Sequence, residues 1–407
     1  MASHLGCRLP LGWKVSNIAS IADHCLGKML DKSKNLGTPR AYLRNLNVRW
    51  FEFDLSDLLE MRFEDSEADR YQARRGDLII CEGGYPGRAA IWDSEEPIHL
   101  QKALHRVRFK EPDRAKWVLY WLHYCDGAGF LVEHFSGAGI QHFTKAALAR
   151  FTVPLPPLNE QKRIVAALDQ AFTALDRARG NAEANLKAAE GLRQDALDAS
   201  FNTIAARSPS VELQEAVHPD CGLSYGIVQP GDEVDDGLPI VRPVDLTQRE
   251  VGLAGLKRID PAAARGYART TLQGGELLLC VRGSTGIVSV ASKGLAGANV
   301  TRGIVPIRFH PARVLRDFAY FQFRSSLVRN QIAEKTYGAA LMQINIKDLR
   351  ALRFLVPDLE TQRDIVRKSE AVLADTQALC RSYQAQLSDS ADLRQSLLQA
   401  AFSGQLS

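Results

Sequence analysis

"PLPPLNEQKRIVAALD", Pro154 to Asp169, returns two hundred residues later as "LVPDLETQRDIVRKSE", Leu355 to Glu370. At a constant offset of 201, Pro156 aligns with Pro357, Leu158 with Leu359, Gln161 with Gln362, and Ile164-Val165 with Ile365-Val366, while Glu160 meets Thr361. The register holds without a gap over 46 residues, to "LRQDALDASF" (Leu192 to Phe201) above "LRQSLLQAAF" (Leu393 to Phe402). A gapless match with identities at both ends needs a shared structure, so internal repetition organises the chain.

Each copy reads as a helix with a marked start. Prolines before Leu158 and Leu359 discourage an earlier one, and Asn159 is placed to cap the first turn. In the first copy Ile164, Leu168, Phe172, Leu175, Ala182, Leu186, Ala189 and Ala196 recur at helical steps, with charged residues between them. The second copy places Ile365, Val366, Val372, Leu373, Leu379, Leu387, Leu393 and Leu397 similarly, although Ser369, Ser382 and Ser390 make its stripe patchier. One apolar stripe on a solvated rod must pack on something, and the other copy is the obvious partner. About 42 residues give a rod of roughly 60 Å.

The segments ahead of the rods repeat more loosely. "YQARRGDLIICEGGYPGRAAI" (Tyr71 to Ile91) aligns with "YARTTLQGGELLLCVRGSTGIVSV" (Tyr267 to Val290), and "SGAGIQHFTKAALARFTVPLPPL" (Ser136 to Leu158) with "YGAALMQINIKDLRALRFLVPDL" (Tyr337 to Leu359). Apolar runs from Asp77 to Cys81 and from Glu276 to Val281 read as strands, and Trp117 to Tyr124 and Asp317 to Leu327 as helices. The expected fold is α+β: a mixed domain over 1–157, a long helix over 158–203, a second mixed domain over 204–357 and a second long helix over 358–407. Rods leaving different domains bury both stripes only by running antiparallel, as a coiled coil with an approximate two-fold axis.

The 407 residues are 45% apolar, enough for more than one core. No apolar run approaches the ~18 residues of a membrane span, and the N-terminus lacks a secretory core, so a cytoplasmic location is expected. Seven scattered cysteines suggest neither a disulfide framework nor a zinc ribbon; His24-Cys25 and the His123/Cys125 pair read as structural residues ahead of metal ligands. Residues 1 to 50 hold eight Lys/Arg against two Asp, and 257 to 329 hold twelve against three acids. Such local fields attract phosphate backbones, although basic surfaces also occur on proteins that never meet nucleic acid. Cofactor and nuclease signatures are missing: there is no phosphate-binding G-x-x-x-x-G-K-[ST], no G-x-S-x-G, no H-E-x-x-H and no kinase set. Asp77, which with Glu82 could imitate a nuclease pair, reads as a solvated strand-end acid.

"PLPPLNEQKRIV", its degenerate repeat at 356 to 366, "GDLIICEGG", "GAGIQHFTKAAL" and the closing "LRQSLLQAAFSGQL" resemble the specificity subunits of type I restriction-modification systems. The likeness spans essentially the whole chain. It implies a DNA-reading subunit without its own active site, with two target-recognition domains for a bipartite asymmetric site. It also implies two methyltransferase subunits and translocating nuclease subunits as partners, which alone would carry S-adenosylmethionine, Mg and ATP. The motif positions Pro156, Pro157, Gln161, Arg163, Pro357, Gln362 and Arg363 are then the expected partner contacts, and Thr361 in place of Glu160 predicts a weaker second contact. Two other readings are a self-sufficient DNA enzyme with a disguised site, against which the missing motifs count, and a coiled-coil adaptor, against which two large divergent domains count.

Side-chain chemistry nominates the DNA contacts. Arg44, Asn45 and Asn47 suit guanine and adenine edges, but equally suit a turn closing a core strand. Gln101, Lys102 and Gln141 are further polar candidates, and Arg242, Arg282, Ser284, Asn299 and Arg302 are their counterparts in the second domain. Lys28, Lys32, Lys34 and Arg40 are expected on phosphates, which position without specifying.

Overall fold

The computed structural model describes residues 9–31, 33–338 and 341–406. The prolines set the helix starts: the first long helix spans Leu158–Ala205 and the second Leu359–Phe402. Asn159 lies inside the first turn, and the backbone amides of Glu160 and Gln161 bond the Pro157 carbonyl at 2.9 and 3.0 Å. At the second start Asp358 receives the Thr361 amide at 2.9 Å, the cap that a short carboxylate before a helix supplies. Among the described residues, no helix is long and apolar enough to cross a membrane.

The chain divides into two compact units, Met1–Glu183 with Ala385–Ser407, and Ala184–Gln384. Each unit therefore holds one mixed domain, the near part of one long helix and the far part of the other.

In the first unit, strands Ala22–Leu26, Leu104–Phe109, Leu78–Cys81 and Ala89–Ile91 form an antiparallel sheet in that order. A second sheet has the order Leu59–Phe63, Thr38–Leu43, Ile98–Leu100 and Gln72–Ala73, and Lys14–Asn17 pairs with Thr152–Leu155. The four residues Leu78 to Cys81 are buried on both faces, the pattern of a central strand. An aromatic helix, Arg114–Gly127, packs against the long helices. Its Trp117 and Trp121 rings meet the edge of Phe402 at 4.8 and 4.9 Å, and their indole N–H groups donate to the carbonyls of Pro154 and Thr152. Tyr120 donates its hydroxyl to Asp169, and Arg394 pairs with Asp176 and covers the Phe172 ring.

The second unit repeats the plan. Strands Glu250–Val251, Val288–Ala291, Leu277–Cys280 and Ile304–Ile307 form one sheet; Lys257–Ile259, Leu238–Val241 and Asn299–Val300 form another; Ser210–Glu212 pairs with Arg353–Leu355. Here Phe201 stacks obliquely on Phe318 at 5.4 Å. Residues 193–209 of the first long helix and its end face residues 357–373 in reverse order, so the two segments run antiparallel within this unit. The helix expected from Asp317 to Leu327 is two helices, Arg316–Arg324 and Ser326–Lys335, broken at the buried, extended Ser325. The break has a partner: Asp198 accepts the Ser326 amide at 2.6 Å.

Two sequence expectations are corrected. Leu379 and Leu393 are exposed, and Ser369 and Thr376 are buried on the helix instead. Asp77 is not solvated: it is 2% exposed and accepts from Arg108 at 2.8 and 2.6 Å, and the equally buried Glu276 faces Arg308 at the matching place.

Candidate nucleic-acid interface

Three loops converge in the first unit. The turn Arg44–Asn47 closes strand Thr38–Leu43, the glycine-rich turn 82–88 follows Leu78–Cys81, and the hairpin 136–142 precedes the helix Lys145–Arg150. Asn45 donates to the Gly83 carbonyl at 3.1 Å, Arg88 returns a bond to the Asn45 carbonyl at 3.0 Å, and the Phe143 amide reaches the Glu82 carbonyl at 2.7 Å. Gly84, at φ +78°, is required by this approach, because a Cβ there would lie 2.1 Å from Asn45 Nδ2.

The same three loops converge in the second unit. Arg242 N donates to Asp245 as Arg44 N does to Asn47, at 2.7 and 2.9 Å. Gly283 N reaches the Met342 carbonyl at 2.8 Å, and Tyr337 and Gln343 pair as Ser136 and His142 do. The Ile344 amide reaches the Val281 carbonyl at 3.0 Å as the Phe143 amide reaches that of Glu82, so the backbone bonds joining hairpin to turn recur, while Pro243 and Ile287 replace Asn45 and Arg88 and the outward residues differ. Leu46, Tyr85 and Ile140 are exposed on the loops of the first unit, and Val244, Leu341 and Met342 on those of the second. Reading the sequence by polar chemistry alone missed these apolar tips; for Ile140, Leu341 and Met342 the alignment of Ser136–Leu158 with Tyr337–Leu359 held the signal.

The nominated residues divide by burial. Gln141, Lys102, Ser284, Arg302 and Lys34 are exposed, and Asn45, Gln101 and Arg282 are half-buried. Arg44 is bound to Asp57 at 2.8 Å, Arg40 to Asp65, and Arg242 to Asp245 at 3.0 Å. Three expectations are corrected. Asn47 is 3% exposed and spends its amide on the carbonyls of Asp54 and Asp57, so it braces its own loop. Asn299 is buried against Thr270 and the Tyr267 carbonyl. Lys28 is buried on Glu67, a pairing that holds the Glu67 carboxyl below its usual range against the opposing effect of burial. Lys32 lies outside the described residues.

At the helix starts, Pro157, Arg163 and Arg363 are exposed, whereas Pro156 and Pro357 are buried. Gln161 and Gln362 are buried too, each donating at 2.8 Å to the carbonyl of the proline five residues before it; Gln362 also accepts the Leu315 amide at 2.8 Å. Both glutamines thus brace the start of their helix, and their burial leaves the exposed Pro157, Arg163 and Arg363 as the accessible members of the motif. Among the described residues no group of three or more His, Cys, Asp or Glu could hold a metal ion.

Each unit thus presents one loop platform on a repeated α+β scaffold joined to a long helix. The Methylase_S family, the type I restriction modification DNA specificity domain, matches residues 10–185. The specificity subunit of the type I restriction enzyme EcoBI of Escherichia coli is 25% identical over 354 residues, 81% of this chain and 73% of that protein. That of EcoKI, from Escherichia coli K12, is 25% identical over 98% of this chain and 90% of its own length. Among solved structures, a chain from a study of type I R-M complex assembly and conformational transition superposes with a TM-score of 0.76 at 20% identity, covering 98% and 99% of the two chains. The HsdS subunit of Thermoanaerobacter tengcongensis gives 0.60 at 19%, covering 98% of each. Residues 10–185 thus match the type I restriction modification DNA specificity domain, and the chain over most of its length is similar to type I specificity subunits.

Proposed function

We propose that the chain reads a bipartite, asymmetric duplex target, with domain 1–157 on one half and domain 204–357 on the other, while the helices over 158–203 and 358–407 set the unread spacer. The observation that carries this reading is one hydrogen-bonded loop scaffold presenting different side chains in its two copies, Tyr85 against Ser284 and Gln141 against Met342. A shared scaffold supports equivalent docking, and different tips support different half-sites. Exposed Gln141, Ser284 and Arg302, with half-buried Asn45 and Arg282, are the base-edge candidates; Lys34 and Lys102 suit phosphates. Arg40, Arg44 and Arg242 reach DNA only by exchanging a carboxylate for it, which favours discrimination over raw affinity.

Two methyltransferase subunits seat at the helix starts, through Pro157 and Arg163 in one copy and Arg363 in the other, and translocating nuclease subunits complete the assembly. S-adenosylmethionine, Mg and ATP then belong to those partners, and the complex works in the cytoplasm. Purified chain with duplex DNA and labelled S-adenosylmethionine should transfer no label until a methyltransferase subunit is added, and mapped adenines in the host genome should reveal one two-part motif. Label transfer by the chain alone overturns the assignment.

A further inference from the structure

The turn after the central strand is built identically in both domains. In the first, Cys81 N bonds the Arg88 carbonyl at 2.8 Å, Gly87 N the Cys81 carbonyl at 2.9 Å and Arg88 N the Tyr85 carbonyl at 3.1 Å. In the second, Cys280 N bonds Ile287, Gly286 N bonds Cys280 and Ile287 N bonds Ser284, at 2.7, 2.9 and 3.4 Å. Gly87 and Gly286 sit at φ +87° and +89°, the left-handed place of a type II turn, and Pro86 occupies the preceding place in the first domain only. So Tyr85 and Ser284 occupy the same position on the same rigid turn.

Their surroundings differ in one respect. The Arg88 guanidinium lies 4.4 Å from the centre of the Tyr85 ring, and is itself tied to the Asn45 carbonyl. The ring is nonetheless 67% exposed. An aromatic ring in water, fixed by a proline turn and backed by a tethered cation, loses little freedom when something stacks on it. Exposed Leu46 and Ile140 on the two neighbouring loops extend the apolar tip. The surrounding edge is polar and cationic, so a flat, π-faced and anion-bearing partner fits, which is a nucleobase within a strand.

We propose, on the basis of the two-half-site reading above, that Tyr85 is a stacking element for DNA: its ring enters the first half-site and takes the stacking place of a base that leaves the helix there. A base that reacts in a partner's pocket must be extruded, and an inserted ring compensates part of the lost stacking. Ser284 has no ring, so the second half-site is opened without this help. Tyr85 is thus a positioning residue for modification of one half of the target and not the other.

The test uses the complete methyltransferase complex and duplexes of its mapped target, with 2-aminopurine placed in turn at adenines of each half-site. Wild type and Tyr85→Phe should raise fluorescence in the first half-site. Tyr85→Ala and Tyr85→Ser should abolish that rise and weaken binding by about ten-fold, the loss of one base–aromatic stack, while second half-site signals persist. An unchanged first half-site rise and affinity in Tyr85→Ala overturns the proposal. A wild-type complex that fails to bind the mapped duplex overturns the underlying two-half-site reading, a result visible before any variant is made.

Discussion

Asp77 and Arg108 show how a charge becomes structural. The carboxylate is buried at the start of the central strand, accepts the Arg74 amide at 2.8 Å and holds the guanidinium with both oxygens. Removing it leaves a half-covered cation without its partner, so Asp77→Ala should destabilise the first unit by about 3 kcal/mol. All five tryptophans belong to that unit, which lets denaturant titration by intrinsic fluorescence report it separately. The same probe reads a pH dependence. Burial lowers His99, His105 and His123 from an ordinary 6.5 to about 4 each, with Arg40 adding to the effect at His99. Below 6.5 the unfolded chain therefore binds protons that the folded one refuses, and stability is full above that value. The urea midpoint should fall as pH drops from 6.5 toward 4, and an invariant midpoint would contradict the burial of these rings. Residue chemistry was legible in the sequence and residue burial was not. Asn47 and Asn45 are equally suited to adenine, yet the structure buries the former on the carbonyls of Asp54 and Asp57 and leaves the latter half-buried with one bond to the Gly83 carbonyl.

At the level of elements, helix starts were readable because proline acts locally, and the observed Leu158 and Leu359 follow directly. The facing of the second stripe was not, because Leu379 and Leu393 keep helical spacing yet lie outward. Spacing fixes a period and leaves the phase to the neighbours. The break at Ser325 escaped notice for a related reason, since its cap, Asp198, comes from 128 residues earlier. The long helices carry a geometric prediction. Four residues inserted near Ala182 add roughly 6 Å and about 40° beyond a full turn, a stutter that local unwinding absorbs. Modification mapping should show both half-site sequences kept and the spacer longer by roughly one or two base pairs. Full activity on the original spacer would mean that the helices do not set the distance.

For the molecule as a whole, repetition was the legible part, and it extends to individual bonds such as those of Gln161 and Gln362 to their prolines. Under the two-half-site proposal specificity lies in the differences laid over it, and a single sequence cannot say which of those differences touch DNA. If the domains read independently, exchanging residues 1–157 for those of a related subunit should change one half of the modified motif and leave the other. Changes in both halves would mean that the two domains read as one.

The placement of Phe402 also sets an order of events during synthesis. The aromatic pocket of Trp117, Trp121 and Tyr124 is closed by Phe402, a side chain from the last turn of the second long helix. At ribosomal speed, roughly ten to fifty seconds separate the emergence of the first domain from that of its last core residue. Throughout that interval the nascent first unit carries an open aromatic cleft, and a message cut short before codon 402 would leave it open for good. The first unit thus finishes its core only once the second long helix has been made as far as Phe402.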